Sequence, residues 1–230
     1  MTGKLYGVGV GPGDPELLTL KALRIIKEAD VVAVPGEIPE QSIAYRIVYG
    51  AWEGIREKEL LAVPMPMTKD QKQLKENHEK GAQLLGTLLE QGKKVAFLTL
   101  GDPTVYSTYL YVHRILTDQG YDTQIISGIP SFCAVSARLN TGLVETSQQL
   151  HVLPASYQIR EGLKLPGTKV LMKAGHKMKE VRQQIQELGE EAVMIRNCGM
   201  EDEQIFDSVE KIPDDPGYYS LIIVKDKANT

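Results

Sequence analysis

Leu5 to Val10 is an unbroken apolar run, too short for a buried helix and bounded by Gly11-Pro12-Gly13-Asp14-Pro15, so it predicts a buried strand ending in a turn. Asp14 suits a helix cap and Pro15 the first helical turn. Leu17, Leu18, Ile25 and Ile26 then line one face of a helix that runs to about Ala29, with Lys21 among its charged positions. Asp30 to Val34 follows as a second strand, completing a βαβ unit for which right-handed parallel pairing of the two strands is the expectation. Ser42 to Tyr49 reads as a helix carrying Ile43, Ile47 and Val48, and Glu59 to Val63 as a brief strand. From Asp70 to Gln91 a long polar helix places Leu74, Ala82, Leu85, Leu88 and Leu89 on its apolar positions, and Gly92 stops it. Lys94 to Leu100 is again a strand, a helix through Tyr109, Val112, His113 and Leu116 reaches Asp118, and Thr123 to Ile126 is the next strand.

Beyond Ser127-Gly128-Ile129-Pro130-Ser131 the pattern changes. A short helix of small residues, Phe132 to Leu139, is followed by strands at His151 to Leu153, Lys169 to Lys173, Ala192 to Arg196, Glu203 to Phe206 and Tyr218 to Val224. One clear helix, Lys177 to Leu188, interrupts them. The simplest arrangement is an α/β protein of two α/β lobes, residues 1–126 and 127–230, the second richer in strands. From Asp226 onward the pattern reads as a disordered end.

At 230 residues and 42% hydrophobic, the chain can supply each lobe with a core. Its apolar runs are far too short to span a bilayer, and the first residues form a strand pattern rather than a basic leader, which points to a cytoplasmic protein. A net charge of -4 argues against a nucleic-acid partner. Cys133 and Cys198 lack CxxC spacing and the four histidines are scattered, so no metal site and no disulfide framework is indicated. His78 and His113 lie within helical patterns and read as solvated or structural.

The chemistry concentrates where the strand ending at Leu100 meets Gly101-Asp102-Pro103-Thr104-Val105-Tyr106-Ser107-Thr108 and then a helix. In an open α/β sheet, loops at the carboxyl ends of strands form the binding crevice, so Asp102 is expected to point at ligand; an ordinary turn with a helix cap is the plainer reading. The glycines at 7, 9, 11 and 13 alternate, which excludes GxGxxG, and no Gly-Lys-Ser/Thr follows to make a Walker A loop. Either a tight turn or a backbone able to approach a flat, bulky ligand remains.

Gly9-Val10-Gly11-Pro12-Gly13-Asp14-Pro15-Glu16-Leu17-Leu18-Thr19-Leu20-Lys21-Ala22, followed by Ala29-Asp30-Val31-Val32, resembles the N-terminal signature of the tetrapyrrole methylases, the class III S-adenosylmethionine-dependent methyltransferases, and the Gly101-Asp102-Pro103 loop resembles their second signature. Pro64-Met65-Pro66-Met67-Thr68-Lys69-Asp70, Gly128-Ile129-Pro130-Ser131-Phe132, His151-Val152-Leu153-Pro154-Ala155 and Leu171-Met172-Lys173-Ala174-Gly175 are most similar to members that methylate C-20 of precorrin-2 or cobalt-factor II in cobalamin biosynthesis. The resemblance implies S-adenosylmethionine folded in a cleft between the lobes, leaving as S-adenosylhomocysteine, a tetrapyrrole as the small-molecule partner, and a homodimer. It places Pro12 on the cofactor side of the first loop and Leu100, Gly101, Asp102, Val105 and Tyr106 around the cofactor. Pro130 and Ser131 fall where many relatives carry Thr-Ala and keep the backbone contact. Lys173 stands where several relatives have Met, and Cys198 where one has Gly. Pro35 replaces an Asp of the uroporphyrinogen methylases, which argues for another position of methylation.

Methyl transfer from a sulfonium to an electron-rich carbon is an in-line displacement that asks mainly for alignment. A base must take the proton left on C-20, for which Asp102 is the favoured candidate and water the alternative. Lys173 could pair with a carboxylate of the macrocycle or remain a solvated lysine. Tyr106 and Tyr218 could hydrogen-bond the ligand, and Arg46 and Arg196 are further anion-pairing candidates. Competing readings are a sibling methylase acting on another tetrapyrrole carbon and a non-catalytic tetrapyrrole- or nucleotide-binding protein.

Overall fold

The computed structural model describes residues 3–66, 70–156 and 159–226, and for His176 the backbone only. Expectations that fall on Met67, Thr68 and Lys69 of the Pro64 to Asp70 stretch, and on residues after Asp226, lie outside the described residues. The chain divides into two units, Met1–Pro130 and Ser131–Thr230.

In the first unit the strands are β1 (Lys4–Gly9), β2 (Val31–Pro35), β3 (Glu59–Val63), β4 (Lys94–Thr99) and β5 (Asp122–Ile126). All pair in parallel, in the order β3-β2-β4-β1-β5. The expected pairing of β1 with β2 is therefore corrected: β4 lies between them. The reason is burial, because Val95, Ala96, Phe97 and Leu98 are covered on both faces and only a central position does that. Alternation along β4 sends Ala96 and Leu98 to the side of α1 (Leu20–Glu28) and α2 (Ile43–Ala51), and Val95 and Phe97 to the side of α3 (Gln71–Glu90) and α4 (Tyr109–Asp118). Thr19 caps α1 by accepting from the Ala22 N–H at 3.1 Å, and Asp70 caps α3 by accepting from Lys72 and Gln73 at 2.9 and 3.2 Å. Gly7 admits the buried Tyr109 ring, which a Cβ there would meet at 2.0 Å.

The second unit holds β6 (Leu150–Pro154), β7 (Thr168–Met172), β8 (Glu191–Arg196), β9 (Gln204–Phe206) and β10 (Ser220–Lys225) in the order β6-β7-β10-β8-β9. The β6–β7 pair is parallel, and β10 runs antiparallel to both β7 and β8. One face is covered by α7 (Met178–Leu188) together with a short helix α6 (Arg160–Leu163), the other by α5 (Ser131–Arg138). The four residues of α6 are too few to show a helical period, which is why the pattern missed it.

The last strand starts at Ser220, leaving Tyr218 and Tyr219 ahead of it. Asp226 is not the start of a loose end: its carboxylate accepts from the Gly167 N–H at 2.6 Å and pairs with the fully buried Lys169, which also holds Glu190 at 2.8 Å. Among the described residues, no helix is long and apolar enough to cross a membrane.

Candidate functional site

Because β4, β1 and β5 are neighbours and parallel, the loops at their carboxyl ends meet at one edge of the first sheet. Gly101 donates its N–H to the Gly11 carbonyl at 2.8 Å, and Gly11 returns the bond to Gly101 at 3.3 Å. Both residues have left-handed φ, +80° and +71°, which glycine adopts without the cost a side chain would bring. A Cβ on Gly9 would stand 2.5 Å from the Gly128 nitrogen and 2.7 Å from the Gly101 oxygen, and one on Gly128 would stand 2.2 Å from that same oxygen. The glycine-rich turn thus serves an approach of backbone to the chain's own backbone.

Asp102 fastens two of these loops, those after β4 and β5. It is 7% exposed; its Oδ1 accepts from the Thr104 N–H at 2.8 Å and the Thr104 hydroxyl at 2.5 Å, and its Oδ2 accepts from the Gly128 N–H at 3.0 Å. Against the expectation that the carboxylate points at ligand, both oxygens are turned to donors of the β4 and β5 loops. What the loop presents outward is different. Leu100, Val105 and Pro130 are half-buried, Pro12 is buried, and Tyr106, at φ +48°, leaves 41% of its surface exposed. On the opposite face from Leu100, the Thr99 hydroxyl is buried without a hydrogen-bond partner.

In the second unit the register sets Met172 opposite Leu221 and Arg196 opposite Ser220, so Lys173, Cys198 and the Tyr218-Tyr219 pair gather at one edge of that sheet. Lys173 leaves β7 at φ +59°, and Asn197, just before Cys198, leaves β8 at φ +52°. Such conformations in residues with side chains are costly and collect where geometry serves a site. Burial pushes the Lys173 ammonium below the usual lysine range. Tyr218 is 46% exposed, stands edge-on to Tyr219 with centroids 5.0 Å apart, and has its phenol pushed up by burial and by that neighbour. Cys198 packs partly buried against the core around Val135, and Ser131 begins α5.

Arg46 is exposed on α2, and Arg196 ends β8 half-buried. Of the two histidines, His78 is buried, which lowers its pKa, and His113 shares a 3.3 Å hydrogen bond with the Tyr109 hydroxyl. Sequence reasoning missed Thr104 and Gly128 as partners of Asp102. The Thr104 contact was findable, since an Asp followed two residues later by Thr is an Asx-turn pattern; the Gly128 contact, 26 residues away, had no local signal.

A sequence profile of the tetrapyrrole (corrin/porphyrin) methylases matches residues 4–213. A Methanocaldococcus jannaschii protein named "Probable cobalt-precorrin-2 C(20)-methyltransferase" is 40% identical over 171 residues, 74% of this chain and 72% of its own. The precorrin-2 C(20)-methyltransferase of a Sinorhizobium species is 30% identical over 237 aligned residues, covering 96% and 95% of the two chains. Among solved structures, the uroporphyrin-III C-methyl transferase of Thermus thermophilus complexed with S-adenyl homocysteine superposes with a TM-score of 0.71 at 22% identity, covering 97% of each chain.

Proposed function

Because the chain belongs to the tetrapyrrole (corrin/porphyrin) methylases, we propose that it transfers a methyl group from S-adenosylmethionine to C-20 of precorrin-2 or cobalt-factor II in cobalamin biosynthesis. The observation that carries this reading is the similarity, over nearly the whole chain in one case, to relatives whose names specify the C-20 position. Any cobalt enters as part of the substrate.

The residues present fit the cofactor. Leu100, Val105 and Pro130 offer half-buried apolar surface, and Gly101 offers backbone held at a fixed distance by Gly11. When bound, S-adenosylmethionine supplies the electrophilic methyl group. Pro12 and Tyr106, Ser131 by its backbone and Cys198 by its packed side chain are further contacts to the cofactor on this reading. Lys173 pairs with a carboxylate of cofactor or tetrapyrrole, the Tyr218 hydroxyl donates to the ligand, and Asp102 keeps the β4 and β5 loops in register. With the Asp102 carboxylate turned to its loop contacts, the C-20 proton passes to water. We assign the enzyme to the cytoplasm and to a homodimer, the latter checked by light scattering.

The deciding experiment is mass spectrometry of the tetrapyrrole after anaerobic incubation with S-adenosylmethionine, with precorrin-2 and cobalt-factor II run side by side. One methyl gained at C-20 is the expected result. A protein that binds the cofactor and methylates neither would overturn the assignment.

A further inference from the structure

The α3 and α4 helices each follow a parallel strand, so their first turns lie at the same edge of the sheet as the Gly-Asp-Pro loop. Tyr111, in the first turn of α4, is stacked on His78 of α3, with centroids 4.4 Å apart and planes 9° from parallel. His78 is only 6% exposed and its burial favours the neutral imidazole, yet Tyr111 keeps 47% of its surface open. The Tyr111 ring is thus held by a buried neighbour and left half exposed. Beside His78, the Asn77 Nδ2 is buried and donates to nothing; with the Thr99 hydroxyl it makes two such atoms among the described residues of this unit. Thr99 shares its face of the sheet with Val95 and Phe97 by strand alternation, which is the α3–α4 side. Unused hydrogen-bonding capacity and an open aromatic face therefore coincide at one end of one face.

On the reading of the function given above, we propose that this end of the α3–α4 pair is the recognition wall for the tetrapyrrole: Tyr111, backed by His78, stacks on the flat macrocycle, and Asn77 donates its amide hydrogen to a peripheral carboxylate. The chemistry matches on both counts, since a conjugated ring wants an aromatic face and a carboxylate accepts from an unpaired amide. His78 is a positioning residue here, holding the ring of Tyr111 in plane.

The test compares wild type with Tyr111→Ala, Tyr111→Phe and Asn77→Ala. Tetrapyrrole Kd is read by fluorescence quenching, S-adenosylhomocysteine Kd by calorimetry, and steady-state kinetics are run with both substrates. Tyr111→Ala is expected to weaken tetrapyrrole binding and raise its KM about fivefold, while Tyr111→Phe, which keeps the ring, stays near wild type. Asn77→Ala raises the same KM about tenfold or more, on the order of the loss of one charge-assisted hydrogen bond. The S-adenosylhomocysteine Kd stays unchanged in all three, which also reports that they fold. If wild type methylates the tetrapyrrole and Tyr111→Ala keeps its tetrapyrrole Kd, or weakens both ligands alike, the wall is refuted and the function stands. If wild type binds no tetrapyrrole, the function and the wall fall together.

Discussion

Replacing Asp102 by Asn would leave one accepting oxygen where there are two, so whichever way the amide turns its N–H₂ faces the N–H of either Gly128 or Thr104 and one of the two contacts is lost. The expected cost is about 2 kcal/mol of stability, that of a buried hydrogen bond to a charged acceptor, read from urea unfolding. Activity should fall through a higher KM for S-adenosylmethionine, while the pH profile of kcat keeps its shape. A profile that lost an acidic limb would restore Asp102 as a base. Lys173 offers a second test. Its lowered pKa means that the ammonium is lost, on raising pH, earlier than from an exposed lysine. Affinity for an anionic ligand that needs the charge should decline through that lower range, and Lys173→Met should abolish the decline along with much of the affinity. The same substitution should raise Tm at neutral pH, because the folded state disfavours the charged form there and the cost is relieved only as pH rises through the folded pKa. From sequence, Asp102 was legible as important but not in its role: residue type and loop position were local, whereas the direction of its carboxylate depends on Gly128 of another loop.

Among elements, the tightest constraint is the contact of the loops after β1, β4 and β5. Gly128→Ala would drive a methyl group to 2.2 Å from the Gly101 oxygen, and backbone rather than a flexible side chain would have to yield. We expect a loss of about 3 kcal/mol, in the range of overpacking a rigid site, seen as a lower Tm, together with weaker S-adenosylhomocysteine binding in calorimetry. An unchanged Tm would show that the loops separate cheaply. Most strands and long helices were legible because each is an apolar run or an amphipathic period bounded by Gly, Pro or a cap. The order of the strands was not. Whether β1 lies beside β2 or beside β4 turns on which strand best fills a position covered on both faces, and that competition involves residues some sixty positions apart in the chain, such as Val31 and Val95.

At the scale of the whole molecule, the second unit carries a buried charge cluster at the start of β7. Lys169 is fully buried between Glu190 and Asp226, and one Glu190 oxygen has no partner. Burial pushes the Glu190 carboxyl above its usual range in spite of Lys169, so its ionised form is disfavoured in the fold. A raised folded pKa gives stability that is present below the unfolded value and lost as pH rises through the folded one. Glu190→Gln should therefore raise Tm at pH 7, by about 2 °C for a chain of this size if 1 kcal/mol is relieved, and the gain over wild type should vanish in acid, below the unfolded carboxylate pKa. Lys169→Met, which leaves two carboxylates facing each other, should instead lower Tm sharply.

The strand that fills the middle of the second sheet, β10, is the last of its five in chain order. While the polypeptide emerges from the ribosome, β7 and β8 have no hydrogen-bonded partner on their inner sides until residues 220–225 clear the exit tunnel. The second unit therefore closes only at the end of its own synthesis, and until then its two halves offer chaperones a pair of open strand edges.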